Sequence, residues 1–351
     1  MITWAKRLAL LAAVALLVLT VLNASWLAPQ PSGAPILVAH RGIHQNFDYA
    51  GIDPQTGCLA QQIEQPVHDY IENTTRSMAK AQQMGAQVVE VDIAPTKDGR
   101  IAVFHDRALD CRTEARGKTS DLSMADLKAL DIGYGYTADG GKTFPLRGTG
   151  TGAMPTLEEA LITLPRTPII FNLQSSDTAE AELLAAALEA TGRDVAKIGD
   201  VFYGKPQAVA RMAELYPDNW AWDRASAERC GRDYVLLGWS TYLPASCRGQ
   251  TMIVPLDRQW AFWGWPNRLI ARMEEHGGRV LVVGPGGDAM PDGLVLPEQL
   301  TQIPNSYNGY VWVEDIWTLG PALRPSLERR TPPQQMAAQE GLERRRARLG
   351  L

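Results

Sequence analysis

Positive charge and cysteine are both in short supply in this chain. Its 351 residues hold 34 Lys and Arg against 39 Asp and Glu, a formal net charge of -5. That balance argues against a nucleic-acid binder, which usually presents a basic field. No helix-turn-helix, zinc-finger or RNA-binding pattern is present either. The four cysteines, Cys58, Cys111, Cys230 and Cys247, include no Cys-x-x-Cys pair, which disfavours a metal cluster. A Gly-rich dinucleotide fingerprint after a first strand is also missing, so a doubly wound open sheet takes second place among α/β architectures. The rest is ordinary for a globular protein, with 45% hydrophobic and 21% charged residues. The length suits one large α/β domain or two smaller ones.

Residues 1–29 stand apart from the rest. Lys6 and Arg7 precede the uncharged run "LALLAAVALLVLTVL" (8–22), the layout of a signal peptide or signal-anchor. Ala24 and Ala28 follow without a clean cleavage pattern, and the run to Ala28 approaches the ~20 residues that span a bilayer. An uncleaved transmembrane anchor is therefore favoured over a cleaved signal. Positive charge ahead of the span leaves the N-terminus in the cytoplasm and the remainder outside it. The expected location is a bacterial inner membrane with a periplasmic domain, or secretion to the periplasm. An even cysteine count in an exported chain predicts disulfides, with 58–111 and 230–247 the simplest pairing and connectivity left open.

Beyond residue 30, strand-like and helix-like segments alternate. "PILVA" (35–39), "QVVEVDI" (87–93), "IAVFH" (101–105), which follows the tight-turn signal Asp98-Gly99, and "TPIIFNL" (167–173) read as strands. Further runs follow at "IGDVFY", "NWAWD", "TMIVP", "RVLVVG" and "GYVWVED". Between them, 72–86 and 179–191 have helical spacing, and Ser123 with Asp126 and Thr156 with Glu159 form capping boxes. Such alternation predicts a parallel sheet. About eight units over roughly 300 residues fit a TIM (β/α)8 barrel across 30–330. Long loops at 43–71 and 131–155 belong at the C-terminal face of its strands, and 331–351 is a charged tail with a solvated Arg cluster.

Chemistry-bearing residues gather at strand ends. His40 and Arg41 follow the strand at 36–39, and Glu90 and Asp92, two apart, share one face of a strand otherwise made of Val and Ile. His105 and Asp106 follow the next extended run. In a parallel barrel such strand ends converge on one mouth. Two buried carboxylates repel or protonate unless something compensates them, and a hard cation, Mg2+ or Ca2+, does so. Two histidines serve as general acid and base, and Arg41 suits a phosphate. Together they are an inventory for cleaving a phosphodiester. His44 and His68, in polar loop sequence, read as surface residues, and His276 as a helix C-terminal residue before a Gly stop.

"HRG", then "ENT", then "VEVDIAPTKDGRIAVFHD", then "MPTLEEAL" resembles the glycerophosphodiester phosphodiesterase family, a TIM-barrel family, densely over 36–175. The resemblance implies that His40 and His105 are the acid/base pair and that Glu90 and Asp92 bind one divalent cation. It also implies that Arg41 contacts the substrate phosphate, with Glu72 and Asn73 shaping the site. Two departures stand out. A long loop containing Cys58 separates His-Arg-Gly from Glu-Asn-Thr, and a bridge to Cys111 in "LDCRT" would pin it beside the site. Where the family's third strand usually ends Glu-x-Lys, this chain has Asn172 and Gln174, neutral amides facing one way for metal and phosphate.

The leading expectation is metal-dependent hydrolysis of a glycerophosphodiester to an alcohol and glycerol phosphate. A lipid-directed phosphodiesterase that stops at a cyclic phosphate is an alternative, given the anchor. A noncatalytic phosphate-headgroup binder is another, given Asn172 and Gln174. The expected partners are a small or lipid-derived phosphodiester and, through the N-terminal helix, a membrane, with no nucleic acid. The aromatic stretch "DRQWAFWGWPNR" (257–268) suits either a lipid-contacting loop or ordinary packing.

Overall fold

The computed structural model describes residues 2–49, 57–286 and 292–351, so part of the first long loop lies outside the described residues. In chain order the first elements are α1 (Ile2–Asn23), β1 (Ile36–Ala39), α2 (Thr75–Gln83), β2 (Val88–Pro95) and β3 (Ile101–Val103). Next come α3 (Met124–Ala129), α4 (Leu157–Thr163), β4 (Ile169–Leu173), α5 (Thr178–Thr191), α6 (Val195–Ile198) and β5 (Val201–Gly204). They are followed by α7 (Pro206–Leu215), β6 (Trp220–Trp222), α8 (Arg224–Leu237), β7 (Thr251–Pro255), α9 (Asn267–Glu275) and β8 (Arg279–Val283). The last are α10 (Pro297–Thr301), β9 (Tyr310–Val313), α11 (Ile316–Leu323) and α12 (Pro332–Leu349).

The hydrogen-bonded strand order is β6-β5-β4-β2-β1-β9-β8-β7, the sequential order of a (β/α)8 barrel, as the alternation predicts. The extended run after Asp98-Gly99 turns back on its predecessor: β3 pairs antiparallel with β2, with Ile93 opposite Val103. The reason is the tight turn at 96–99, closed by the Gly99 N–H donating to the Thr96 carbonyl.

Two compact units make up the chain, one from Met1–Pro35, Arg224–Val283 and Gln302–Val311, the other from Ile36–Asp223, Gly284–Thr301 and Trp312–Leu351. In the second, β2 is buried along nearly its whole length because parallel neighbours flank it and helices cover it. Met78, Ala81 and Met84, spaced for one face of a helix, are fully buried. Both sequence-read capping boxes form, at Ser123 with Asp126 and Thr156 with Glu159.

The long loops of this unit build a core of their own, in which Phe47, Ile63, Phe104, Leu109, Ile132, Tyr136 and Leu146 pack together. The Gly-rich loop is wound on one carboxylate: Asp131 accepts from the N–H groups of Gly133, Gly148 and Gly150. Gly150 is obligatory there, since a Cβ would lie 2.4 Å from the Gly133 nitrogen. Cys58 and Cys111 form a disulfide with Cα atoms 5.3 Å apart, tying the first loop to the segment after β3. The Arg cluster near the C-terminus differs from its reading as solvated surface. Arg345, on α12, is buried and pairs with Glu64 and Asp315.

The first unit holds α1, α8, β7, α9, β8 and the start of β9. Its disulfide joins Cys230 to Cys247, the other expected pair. His276 closes α9 ahead of Gly277, as read. Over Trp4–Asn23, α1 is long and apolar enough to cross a membrane and has none of its length buried.

Candidate active site

Every sequence-predicted site residue lies in the second unit, and most come from the ends of β1, β2, β4 and the hairpin of β2 and β3. After β1 the backbone enters the left-handed region at Arg41 (φ 56°) and Gly42 (φ 76°). Gly42 is required twice over: it has positive φ, and a Cβ would meet Ser77 Oγ at 2.4 Å. This turn points the Arg41 N–H at Glu90 Oε2, 2.9 Å away, while Arg41 Nε lies 3.1 Å from Asp92 Oδ2.

Asp92 is tightly held. Asn73, itself at φ 58°, donates its amide to Asp92 Oδ2 at 2.8 Å and accepts the Asp92 N–H at 3.1 Å. Asn172 is the register partner of Asp92 and donates to Oδ1 at 2.8 Å. Burial alone would raise the Asp92 carboxyl, but Arg41, His105, His40 and the Asn73 amide together hold it below the usual carboxylate range. Glu90 goes the other way, pushed up by burial and by the charge of Asp92. Its Oε1 is buried without a hydrogen-bond partner among the described residues.

The two histidines are oriented alike. His40 Nδ1 lies 2.7 Å from Glu314 Oε2, and His105 Nδ1 lies 2.6 Å from Asp106 Oδ1. With Nδ1 engaged, each ring leaves Nε2 for other work. His40 Nε2 is 3.9 Å from Glu90. Burial disfavours the His40 imidazolium and Arg41 opposes it too, yet Glu314 and Glu90 together outweigh them and the pKa is raised. His105 reaches the site because the Phe104 N–H bonds the Asp92 carbonyl at 3.0 Å. Asp106 is lowered to about 2: burial opposes ionisation, but Arg112 and the His105 bond overcome it.

A charged floor supports this arrangement. Glu72 accepts from Arg112 Nη2 and Tyr136 Oη, both at 2.6 Å, and lies 3.9 Å from Arg41. Arg112 also reaches Asp106 at 3.2 Å, so one buried guanidinium links Glu72 to the carboxylate behind His105. Tyr203, Trp222 and Trp312 make an apolar wall, with the Trp312 ring 5.3 Å from His40. Gln174 donates its backbone N–H to Glu180, while its buried side-chain Nε2 has no partner among the described residues.

Some participants escaped sequence reading. His44, expected on the surface, is buried, with Nε2 3.1 Å from Glu314 Oε2 and Nδ1 donating to the Gln45 carbonyl. Its polar loop sequence gave no signal, because the loop folds inward on its own core. Glu314 did carry one, as an acid at the end of a buried apolar strand. Arg112 and Tyr136 come from loops whose placement no local pattern encodes. His40, His44 and Glu314 offer ligand atoms within 4.8 Å of one another, a set that is able to hold a metal ion. Two imidazoles already crowd one oxygen of its single carboxylate.

The model of the glycerophosphoryl diester phosphodiesterase family matches residues 40–182, which contain every site residue named from sequence. A glycerophosphodiester phosphodiesterase of Bacillus subtilis (strain 168) is 38% identical over 93 residues, 26% of this chain and 30% of that protein. One of Bacillus altitudinis is 32% identical over 107 residues, 30% of this chain and 40% of that protein. The chain thus spans less than half the length of these curated relatives. An Oleispira antarctica phosphodiesterase, solved in complex with the product sn-glycerol-3-phosphate, aligns over 83% of this chain and 97% of its own. Its TM-score of 0.53 at 19% identity bears out the fold. The family resemblance read from the sequence is likewise borne out.

Proposed function

We propose that this chain hydrolyses a glycerophosphodiester to an alcohol and glycerol phosphate by acid-base catalysis between His40 and His105. The observation that carries this reading is a pair of imidazoles, each with Nδ1 on a carboxylate, flanking the Glu90, Asp92 and Arg41 cluster. Arg41 grips the phosphate, and the open Nε2 of Gln174 donates to one of its oxygens. One histidine takes the proton of the attacking hydroxyl as its oxygen bonds phosphorus. The other protonates the departing alkoxide as the second phosphorus–oxygen bond breaks. His40, with its raised proton affinity, suits the donor role. The attacker is water, or the neighbouring glycerol hydroxyl through a cyclic phosphate that water then opens.

The orphaned Glu90 Oε1 beside a second carboxylate is the feature a divalent cation fits. Glu90, Asp92 and Asn172 would hold Mg2+ or Ca2+. When bound, such an ion neutralises phosphate charge and acidifies the attacking hydroxyl. Glu72 and Asn73 act through others, Glu72 by holding Arg112 and Tyr136, Asn73 by clamping Asp92.

The two disulfides and the apolar α1 support a location beyond the cytoplasm, either anchored by α1 in an inner membrane or released to the periplasm. The test offers glycerophosphodiesters to the full chain with Mg2+ or Ca2+, with chelator, and as H40A or H105A, following products by phosphorus NMR. Metal- and histidine-dependent release of glycerol phosphate is the expected result. An accumulating cyclic phosphate instead establishes the lyase reading, and binding without turnover establishes a noncatalytic headgroup binder.

A further inference from the structure

The unit that carries α1 exposes an unusual number of large apolar side chains, and they gather near the root of that helix. Trp26 and Leu27 follow α1 directly, with Trp26 76% exposed. Leu236, Leu237 and Trp239 sit at the end of α8 and the turn after it, and Trp260 and Trp263 in the aromatic stretch before α9. Trp260 is 86% exposed and Trp239 45%. Scattered single apolar residues on a surface need no explanation, but a cluster of indoles and leucines in one region marks an interaction surface.

Hydrogen bonds set the position of these residues relative to α1. Asn23, the last residue of α1, donates its side-chain amide to the Trp239 carbonyl at 2.8 Å. Arg272 of α9 is buried and donates to the Leu22 carbonyl and to Asn23 Oδ1, both at 3.1 Å. It thereby caps carbonyls that the helix end would leave bare. The same guanidinium reaches Tyr234 Oη at 2.8 Å and the Gly238 carbonyl at 3.3 Å, so α1 is clamped to the α8 end and does not swing freely. Tyr234 in turn donates to the Trp263 carbonyl at 2.7 Å, and the Trp263 indole N–H to the Val235 carbonyl at 3.0 Å. The Asn267 N–H donates to Ser25 Oγ at 3.0 Å, tying the start of α9 to the residues just after α1.

Level then decides the occupant. The 22 residues of α1 run about 33 Å, close to the ~30 Å of a hydrocarbon core. Trp4 and Trp26 lie at its two ends, where indoles favour the boundary between headgroups and acyl chains. Trp239 and Trp263 are hydrogen-bonded into the same helix end as Trp26. Whatever depth α1 gives Trp26, it gives them approximately the same one.

We propose that the surface formed by Trp26, Leu236, Leu237, Trp239, Trp260 and Trp263 is a phospholipid-bilayer docking face. It seats this unit in the interfacial layer around the emerging helix. The inference goes beyond phosphodiester hydrolysis and rests on α1 entering the bilayer. Indoles suit the role because each has a broad apolar ring and one polar N–H.

The test reconstitutes the full chain into vesicles of phosphatidylcholine and phosphatidylglycerol, with or without bromine on the acyl chains near the interface, and reads tryptophan emission. W4F/W26F removes the indoles that α1 itself would bring to lipid. This variant is expected to float with the vesicles and still lose emission to the bromolipid. Adding W239F, W260F and W263F is expected to abolish that loss, with an unchanged thermal transition showing that the fold survives. Flotation with no bromolipid loss in W4F/W26F overturns the docking face while leaving the membrane span intact. Loss that persists without Trp239, Trp260 and Trp263 also overturns it. Failure to float overturns the span and the face together. Because the W4F/W26F readings decide by themselves, misfolding of the five-fold variant does not rescue the proposal.

Discussion

His40 and His105 are held by the same device and placed in different surroundings. Each gives Nδ1 to a carboxylate at hydrogen-bond distance, Glu314 for His40 and Asp106 for His105. The His40 side chain is only 12% exposed and its carboxylate is shared with the buried His44, whereas the His105 side chain is 31% exposed. Behind Asp106 stands a guanidinium, Arg112; behind Glu314 stand a second imidazole and the Gly293 N–H. Identical residue types therefore receive different access to solvent. In the proposed reaction the enclosed His40 serves the leaving oxygen, and the more open His105 exchanges with water between turnovers.

Removing either ring is the coarsest way to break the comparison. H40A and H105A should each lower kcat on the order of 10²- to 10⁴-fold, the usual share of general acid-base catalysis, with substrate binding largely retained. Steady-state kinetics on a glycerophosphodiester measure it. A variant that keeps wild-type kcat removes that histidine from the mechanism.

Substituting the carboxylates behind the rings is subtler, and here the two sides should separate. E314Q loses the anion that serves both His40 and His44 in a fully buried setting, so kcat should fall about 10²-fold. D106N disturbs a more open pair and leaves Arg112 still bound to Glu72, so the loss should be nearer to about tenfold. Equal losses in the two variants would mean that exposure does not distinguish the pairs.

A third histidine supplies the counter-case. His68 packs against Tyr70 and Trp317, and its Nδ1 meets the Gln45 amide and the Tyr70 N–H. Burial, His44 and Arg76 lower its pKa to about 4, against the pull of Asp315 and Asp69. Its folded pKa is thus depressed. The stability it contributes is complete above the unfolded value near 6.5 and drains away as pH falls towards 4, because only the unfolded chain takes up the proton. Urea unfolding should show about 2 kcal/mol lost between pH 7 and pH 4.5, and H68Q should flatten that slope. What separates His68 from His40 is the ring's partner, an amide and a backbone N–H in place of a carboxylate, not the depth of burial.

How much of this could be read from the chain depended on whether a residue's role is local. Capping boxes at Ser123 and Thr156, the Asp98-Gly99 turn and the Met78, Ala81, Met84 stripe are local patterns, and each formed where expected. Glu90 and Asp92 were legible because alternation along a strand fixes their shared face. Arg112, Tyr136 and His44 were invisible. They are delivered by loops whose shape is set by a disulfide, a loop core and the Asp131 carboxylate, all of them long-range. Glu314 stood in plain view at the end of β9 but needed the fold to bring it back to His40.

The smallest predicted effect tests Asn172, at the end of β4. Asn172 is the register neighbour of Asp92 and donates an amide N–H to it, so it relieves the carboxylate cluster where a third acid would add repulsion. N172E should therefore have two opposite consequences. Without divalent cation, a new half-buried carboxylate beside Asp92 should lower stability by about 1 kcal/mol, read as a lower thermal midpoint in chelator. With Mg2+ or Ca2+, the extra anionic ligand should tighten binding by on the order of tenfold, read by calorimetry and as a larger cation-induced rise in that midpoint. Opposite signs in chelator and in cation identify the Glu90, Asp92 and Asn172 end of the sheet as the metal site. A midpoint that falls equally in both assigns the ion elsewhere, with the His40, His44 and Glu314 group the alternative on hand.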